Sequence, residues 1–336
     1  MSLNPADIFA RHLPDPLPDP IAAEVFAPSN IALAKYWGKR DKALNLPMNS
    51  SLSISLGGLG TTTRITGAAQ DTLIFNGQAL PSASAAAAKI WSFVALFRPN
   101  GPPLRIETQN SIPTAAGLAS SASGFAALTL ALNAAFQTKL PLETLSQLAR
   151  FGSGSATRSF WHGFVRWAKG DAPDGSDSHG HALSVDWPEF RIALLPVDTG
   201  PKAQSSRDGM AHTLATSPLY AAWPAQAEAD CDTVERAVKE QDFRVLGPIV
   251  EANALAMHAT MMAARPALSY LKAASWARLD ALWAARAEGL EAYATADAGP
   301  NIKLIFLASQ TDDVQTLFPD ATVIAPFNER RDPSAP

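Results

Sequence analysis

A single cysteine, Cys231, stands among 336 residues, which excludes an internal disulfide framework and any cluster of thiolate metal ligands. The chain has no Lys/Arg run and a formal net charge of −4, so it does not carry the electrostatic footprint of a nucleic-acid binder. It has no apolar run long enough to span a membrane, and Lys89 interrupts the most apolar candidate, Ala85–Phe97. The N-terminus is rich in Pro and Asp where a secretory signal is basic and then apolar. Charged residues make up only 17% against 47% hydrophobic, the balance of a folded globular chain rather than a disordered one. These absences leave a soluble, cytoplasmic protein, long enough for two domains or one large one.

What is present reads as follows. Met1–Pro20 interleaves Pro14, Pro16, Pro18 and Pro20 with Asp15 and Asp19, a mobile arm. Val25–Lys35 is apolar with a turn at Pro28-Ser29-Asn30. Ser51–Leu56 alternates polar and apolar residues, as in a half-buried strand. Thr61–Ile65 and Thr72–Phe75 are further strands, the second turning at Asn76-Gly77, a hairpin signal. A helix over 83–97 and a strand at Leu104–Thr108 follow, then helices at Leu142–Phe151 and around Ala156–Phe160. Strands near Phe164–Trp167 and Arg191–Pro196 lead to a largely helical part (Tyr220–Glu240, Phe243–Met262, Ala267–Glu288), and strands resume at Ala292–Thr295 and Ile302–Phe306. Strands and helices mix without a βαβ rhythm, which predicts an α+β fold with a boundary near Pro196–Lys202. The division is thus an arm (1–20), an N-terminal domain (21–200) and a C-terminal domain (201–336).

The stretch Ser111–Gly124, SIPTAAGLASSASG, precedes an apolar run to Phe136. Small residues leave backbone N–H groups bare, and Ser120 and Ser121 open a helix-favouring segment. Such N–H groups, with the helix dipole and serine hydroxyls, suit the phosphates of a nucleotide. No Gly-Lys-Ser/Thr follows, so the loop is not of the Walker type. An ordinary Gly/Ser turn before a core helix reads the same way.

Lys35, Tyr36, Lys39 and Arg40 gather two ammonium groups, a phenol and a guanidinium, suited to a phosphate ester, although a cluster of this kind is more often a solvated face. Ser153–Arg158 (SGSATR) puts Ser155 and Arg158 on one helical face, where the arginine can grip a carboxylate bidentately. Lys202–Arg207 (KAQSSR) again sets hydroxyls beside cations. Asp297 heads the turn Asp-Ala-Gly-Pro-Asn, either an Asx-turn or a carboxylate for a substrate hydroxyl. His179-Gly180-His181 lacks a third ligand at metal spacing. His258, beside Met257 and Met261, reads as a core or interface histidine.

Together these stretches carry a resemblance. SIPTAAGLASSASGFAAL resembles the phosphate loop of the GHMP kinase superfamily, and APSNIALAKYWGKRDKALNLPMNSS resembles the N-terminal signature of the diphosphomevalonate decarboxylases within it. DTLIFNG, GSGSATRS, SSRDGM, MHATMMAARPALSYL and DAGPN extend the similarity, in order, from about Glu24 to Phe306. The resemblance implies the GHMP kinase fold: an N-terminal domain like ribosomal protein S5 domain 2 and a ferredoxin-like C-terminal domain. It implies ATP and Mg²⁺ as cofactors, with the ion held mainly by ATP and water, and phosphorylation of the tertiary 3-hydroxyl of 5-diphosphomevalonate. Loss of that phosphate with CO₂ would then give isopentenyl diphosphate. Asp297, Lys35 and Arg158 match catalytic positions; Tyr36, Lys39, Ser155, Lys202, Ser206 and Arg207 match substrate positions. Asn110, Pro113, Gly117, Leu118, Ala119, Ser120 and Ser121 match the ATP site. Relatives are commonly homodimers, which implies the same here.

The chain also departs from the family pattern. Phe160-Trp161-His162-Gly163 follows Arg158 where the family has a small residue, an aromatic and two glycines, and Arg166 stands where an acid is common. These departures bear on substrate choice, leaving as alternatives a sibling decarboxylase of the 5-monophosphate or a bisphosphorylated mevalonate. A superfamily kinase that does not decarboxylate is the third reading; the joint presence of Lys35, Arg158 and Asp297 argues against it.

Overall fold

The computed structural model describes residues 4–111, 121–198, 200 and 204–328. In chain order its elements are α1 (Pro5–Ala10), β1 (Ala23–Ala34), β2 (Lys39–Asp41), β3 (Leu46–Pro47), β4 (Ser51–Gly67), β5 (Thr72–Phe75), β6 (Gln78–Ala79), α2 (Ala85–Phe97), β7 (Leu104–Asn110), α3 (Ser121–Ala135) and α4 (Leu142–Ala149). A 3-10 helix (Gly154–Arg158) leads to β8 (Phe164–Trp167), β9 (Gly180–Ala182), β10 (Phe190–Leu195), α5 (Ser206–Thr216), α6 (Trp223–Glu240) and α7 (Phe243–Met262). The chain continues through α8 (Ala273–Ala287), β11 (Ala292–Ala296), β12 (Ile302–Leu307), α9 (Thr311–Leu317) and β13 (Thr322–Ile324).

β4 is the spine of the first sheet. Its first half pairs with the second half of β1 and with β8; its second half pairs with the first half of β1 and with β7. Two strands expected separately are therefore one element of 17 residues. Ser51–Leu56 is not half-buried. Ser51 and Ser55 accept hydrogen bonds from Arg158 and the Gly163 backbone, while Leu52, Ile54 and Leu56 pack into a core shared with β10–β12 and α7. Pro28-Ser29-Asn30 is no turn either. β1 runs through it with a register shift, a bulge that leaves Ser29 bonded to Ser123 and Asn30 to Ser159. Opposite this bulge only glycine fits at 60, since a Cβ there would lie 2.1 Å from the Ala27 carbonyl oxygen. β5 and β6 form the expected hairpin, with Asn76 and Gly77 both at positive φ.

β10, β11, β12 and β13 form a second, antiparallel sheet, with β13 beside β10, β10 beside β12 and β12 beside β11. This is the β-α-β-β-α-β arrangement of a ferredoxin-like unit. β10 precedes the boundary expected near Pro196–Lys202, yet its hydrogen bonds place it in this second sheet.

Within the arm expected to be mobile, Pro5–Ala10 is docked rather than free. Asn4 and Asp7 form a reciprocal cap, and Ile8 and Phe9 are buried. Phe9 meets Phe93 and Phe97 of α2 and Phe151 after α4. The expected helix over Ala267–Glu288 begins only at Ala273; upstream, Tyr270 packs edge-on against Trp37 and donates to the Ser205 carbonyl, fastening the start of α5. Among the described residues, no helix is long and apolar enough to cross a membrane.

Candidate active site

Lys35, Arg158 and Asp297 meet in a cavity of about 340 Å³ between the two sheets. Lys35 follows β1 directly and is almost wholly buried. Its Nζ donates to the Ala32 carbonyl at 2.9 Å and to Asp297 Oδ1 at 2.8 Å. Its backbone is fixed as well: the N–H donates to Asn253 Oδ1 (2.7 Å), the carbonyl accepts from Asn49 Nδ2 (2.8 Å), and Asn253 in turn donates to Asp230 (2.8 Å). A buried hydrogen-bond chain from α6 through α7 thus sets where the lysine leaves the sheet.

Asp297 follows β11, where Gly299 N–H donates to its carbonyl and tightens the turn the sequence predicts. Its carboxylate opens to the cavity, the side chain 40% accessible, and is bracketed by two cations: Lys35 on Oδ1 and Lys303 on Oδ2 at 3.2 Å. Burial pushes this carboxyl up, but the Lys303 and Lys35 ammoniums and their hydrogen bonds outweigh it and hold the group far below the usual carboxylate range. Burial lowers the Lys35 ammonium, with Asp297 opposing.

Arg158 ends the 3-10 helix. Nη1 donates to Ser51 Oγ (2.5 Å), and the guanidinium lies 5.9 Å over the Trp167 ring. Burial lowers its pKa to about 10, so it stays cationic. Among the described residues its buried Nε has no hydrogen-bond partner, nor has the hydroxyl of Tyr36, which packs edge-on against the same tryptophan. A buried, unpaired donor is costly in a free protein and is the natural partner of a bound anion. Burial also raises the Tyr36 phenol, keeping it a neutral donor.

Lys39, Ser155, Ser206 and Arg207 line the same cavity, as does Lys89 from α2. Burial first, and then neighbouring cations led by Arg207, lower both Lys39 and Lys89 to about 8. Next to it lies a second, apolar cavity of about 350 Å³, walled by Leu73, Phe75, Leu80, Ile90, Ile106 and Leu128, with Asn110 on its rim. Lys89 and Ser121 line both. A flat base in the apolar cavity would therefore run its phosphates past Ser121 and Lys89 toward Asp297. Pro113, Gly117, Leu118, Ala119, Ser120 and Lys202 lie outside the described residues. The hydroxyls of Ser121 and Ser153, in mutual contact at 3.4 Å, are oxygen donors of the kind magnesium takes.

Two residues here escaped the sequence reading. Lys303 is a lone cation in the apolar strand Ile302–Leu307, a signal that an alternation count alone could have raised. Lys89 registered only as an interruption of an apolar helix. The unusual Arg166 pairs with Glu228, Asp232 and Glu235 of α6, at 3.1, 2.7 and 2.6 Å. Glu228 also accepts from the Ser50 backbone, so this cluster braces the start of β4 beneath Arg158. Neither Trp161 nor His162 lines the cavity. His258 is buried next to Lys35; burial, then Lys35, lowers its pKa to about 4, so it is neutral.

A family model described as diphosphomevalonate decarboxylase-like N-terminal domain matches residues 27–180, and one for the mevalonate 5-diphosphate decarboxylase C-terminal domain matches 192–331. Diphosphomevalonate decarboxylase mvd1 of Aspergillus fumigatus is 39% identical over 317 residues, spanning 87% of this chain and 78% of the relative. The human diphosphomevalonate decarboxylase is 36% identical over 307 residues, spanning 84% and 76%. Among solved structures, MDDEF in complex with MVAPP, AMPPCP and magnesium superposes with a TM-score of 0.84 at 38% identity, covering 91% of this chain and 98% of that one. Mevalonate diphosphate decarboxylase from Staphylococcus aureus gives 0.85 at 33% identity, covering 90% and 95%.

Proposed function

This chain belongs to the diphosphomevalonate decarboxylase family, with its GHMP kinase fold, and on that premise we propose how its residues divide the work of ATP-dependent decarboxylation of (R)-5-diphosphomevalonate to isopentenyl diphosphate, ADP, phosphate and CO₂. The carrying observation is the Asp297 carboxylate held between two ammoniums in a cavity that Arg158, with a buried unpaired donor, also lines.

Asp297 orients the 3-hydroxyl and takes its proton. A carboxylate so strongly paired is a weak base, which suits phosphoryl transfer through a loose transition state, where the nucleophile's proton moves late. Lys35 faces the same oxygen and offsets charge gathering on the transferring group. Arg158 holds the substrate carboxylate, aligning the bond that breaks. Tyr36, Lys39, Ser155, Ser206, Arg207 and Lys202 serve the substrate, the cations among them drawn to its diphosphate. Asn110, Ser121 and the loop residues Pro113, Gly117, Leu118, Ala119 and Ser120 serve ATP. When bound with the triphosphate, magnesium supplies charge neutralisation there. A tertiary hydroxide leaves poorly and a phosphate leaves well, so phosphorylation precedes loss of CO₂. Two cations, Lys39 and Arg207, favour a diphosphate over a monophosphate at the outer end.

The test is ATP-dependent CO₂ release from 1-labelled mevalonate supplied as 5-diphosphate, 5-phosphate and free acid, with ADP followed in parallel. Fastest release from the diphosphate with one ADP per CO₂ is expected. Preference for the monophosphate assigns the sibling activity, and ADP without CO₂ makes the protein a kinase. We further place the enzyme in the cytoplasm, where its ATP is, and assign a homodimer. Exposed Leu214, Leu219 and Met262 support that assembly, and light scattering of the purified protein measures it.

A further inference from the structure

We propose that Lys303 is a positioning residue for this reaction, holding Asp297 so that one carboxylate oxygen and Lys35 together face the reacting hydroxyl. The proposal rests on the function assigned above. Lys303 sits in β12 between Ile302 and Leu304, only 2% exposed, a place where an apolar side chain would be cheaper. Antiparallel pairing sets it opposite Thr295, two residues before Asp297. From there Nζ reaches Asp297 Oδ2 at 3.2 Å and the Asn301 carbonyl at 3.4 Å.

Geometry separates the tasks of the two lysines. Lys35 takes Oδ1 and Lys303 takes Oδ2, so the carboxylate plane is held from two directions. The terminal torsion of an aspartate is soft, and one ammonium alone leaves it free to swing. The charged and titratable groups facing Asp297 are Lys35 after β1, Lys303 on β12, Arg158 on the 3-10 helix and His258 on α7. His258 is neutral and Arg158 is turned to Ser51 and Trp167, so Oδ2 depends on Lys303 for its counter-charge.

The experiment compares the full-length protein with Lys303→Met and Lys303→Arg, after melting curves establish that each is folded. Lys303→Met should lower kcat about tenfold with KM for ATP within about twofold, and raise the pH of the acid limb of the kcat profile, because Asp297 loses one of the two cations that hold it far below the usual carboxylate range. Lys303→Arg should restore the limb and most of the rate. In protein carrying carbon-13 at the aspartate carboxyls, the Asp297 signal, assigned by its loss in Asp297→Asn, should titrate at higher pH in Lys303→Met than in wild type. If the Met variant does not fold, Lys303→Gln carries the same measurements. A folded neutral variant with unchanged kcat and acid limb overturns the proposal, and so does a lowered kcat with an unmoved limb and carboxyl signal, the mark of a purely structural role. Wild-type protein that releases no CO₂ overturns the assigned function instead, and the carboxyl titration still decides whether Lys303 controls Asp297.

Discussion

The two ends of the cleft handle charge in opposite ways. At the deep end Lys35 and Lys303 share one carboxylate, and each is fixed by further hydrogen bonds to the backbone. At the outer end Lys39, Lys89 and Arg207 press on one another, and burial and mutual repulsion depress both lysines to about 8. The first arrangement is complete before any ligand arrives and is suited to chemistry. The second is incomplete, its repulsion relieved when an anion enters, and is suited to binding. Substitutions at the deep end should therefore act on kcat, and those at the outer end on KM.

The sharpest test of that contrast is Asp297→Asn. It should lower CO₂ release about a thousandfold or more, while calorimetry shows ATP binding largely intact. Unchanged turnover in this variant would overturn the assignment. Next, Arg158→Lys should reduce kcat/KM for the diphosphate about a hundredfold, because an ammonium cannot replace both the Ser51 bond and the planar contact with Trp167. Lys39→Ala should act mainly on KM, raising it about tenfold with kcat within a few fold, and the effect should shrink at high salt. An equal loss in kcat would erase the distinction between the two ends.

The smallest effect is on pH dependence. Lys39 and Lys89 lose their protons as pH rises through about 8, so KM for the diphosphate should climb a few fold between pH 8 and 9. Over the same range kcat should change less than KM, since Asp297 is ionised throughout and Arg158 titrates only near 10. Parallel changes in kcat and KM would break the comparison.

The residues legible in sequence share one property: each sits in a short contiguous pattern whose local geometry is nearly decided. Asp297 precedes Gly-Pro, Arg158 closes a Gly/Ser-rich turn, and Lys35 ends an apolar strand. The Asn76-Gly77 hairpin was readable for the same reason. What was missed depends on register and packing. Lys303 becomes a partner of Asp297 only because β11 and β12 pair with Thr295 opposite Lys303. Asp230 and Asn253 lie on separate helices, and nothing local says that they meet behind Lys35. The burial of Ser51–Leu56 on both faces followed from a second sheet that alternation cannot reveal. The bulge at Pro28–Asn30 looked like a turn because a bulge and a turn draw on the same residues.

The core that receives Leu52, Ile54 and Leu56 also contains Ile31, Leu33 and the inner side chains of β10, β11 and β12. Neither sheet can bury that surface alone, so a fragment carrying only the first would expose an apolar face directly behind Lys35. Folding of the two halves should accordingly be coupled, with Lys35 acquiring its surroundings last, when the halves close on each other. Recovery of turnover during refolding would then trail the return of helical signal. Newly made chains would stay inactive until β13, the last described strand, had been synthesised and paired.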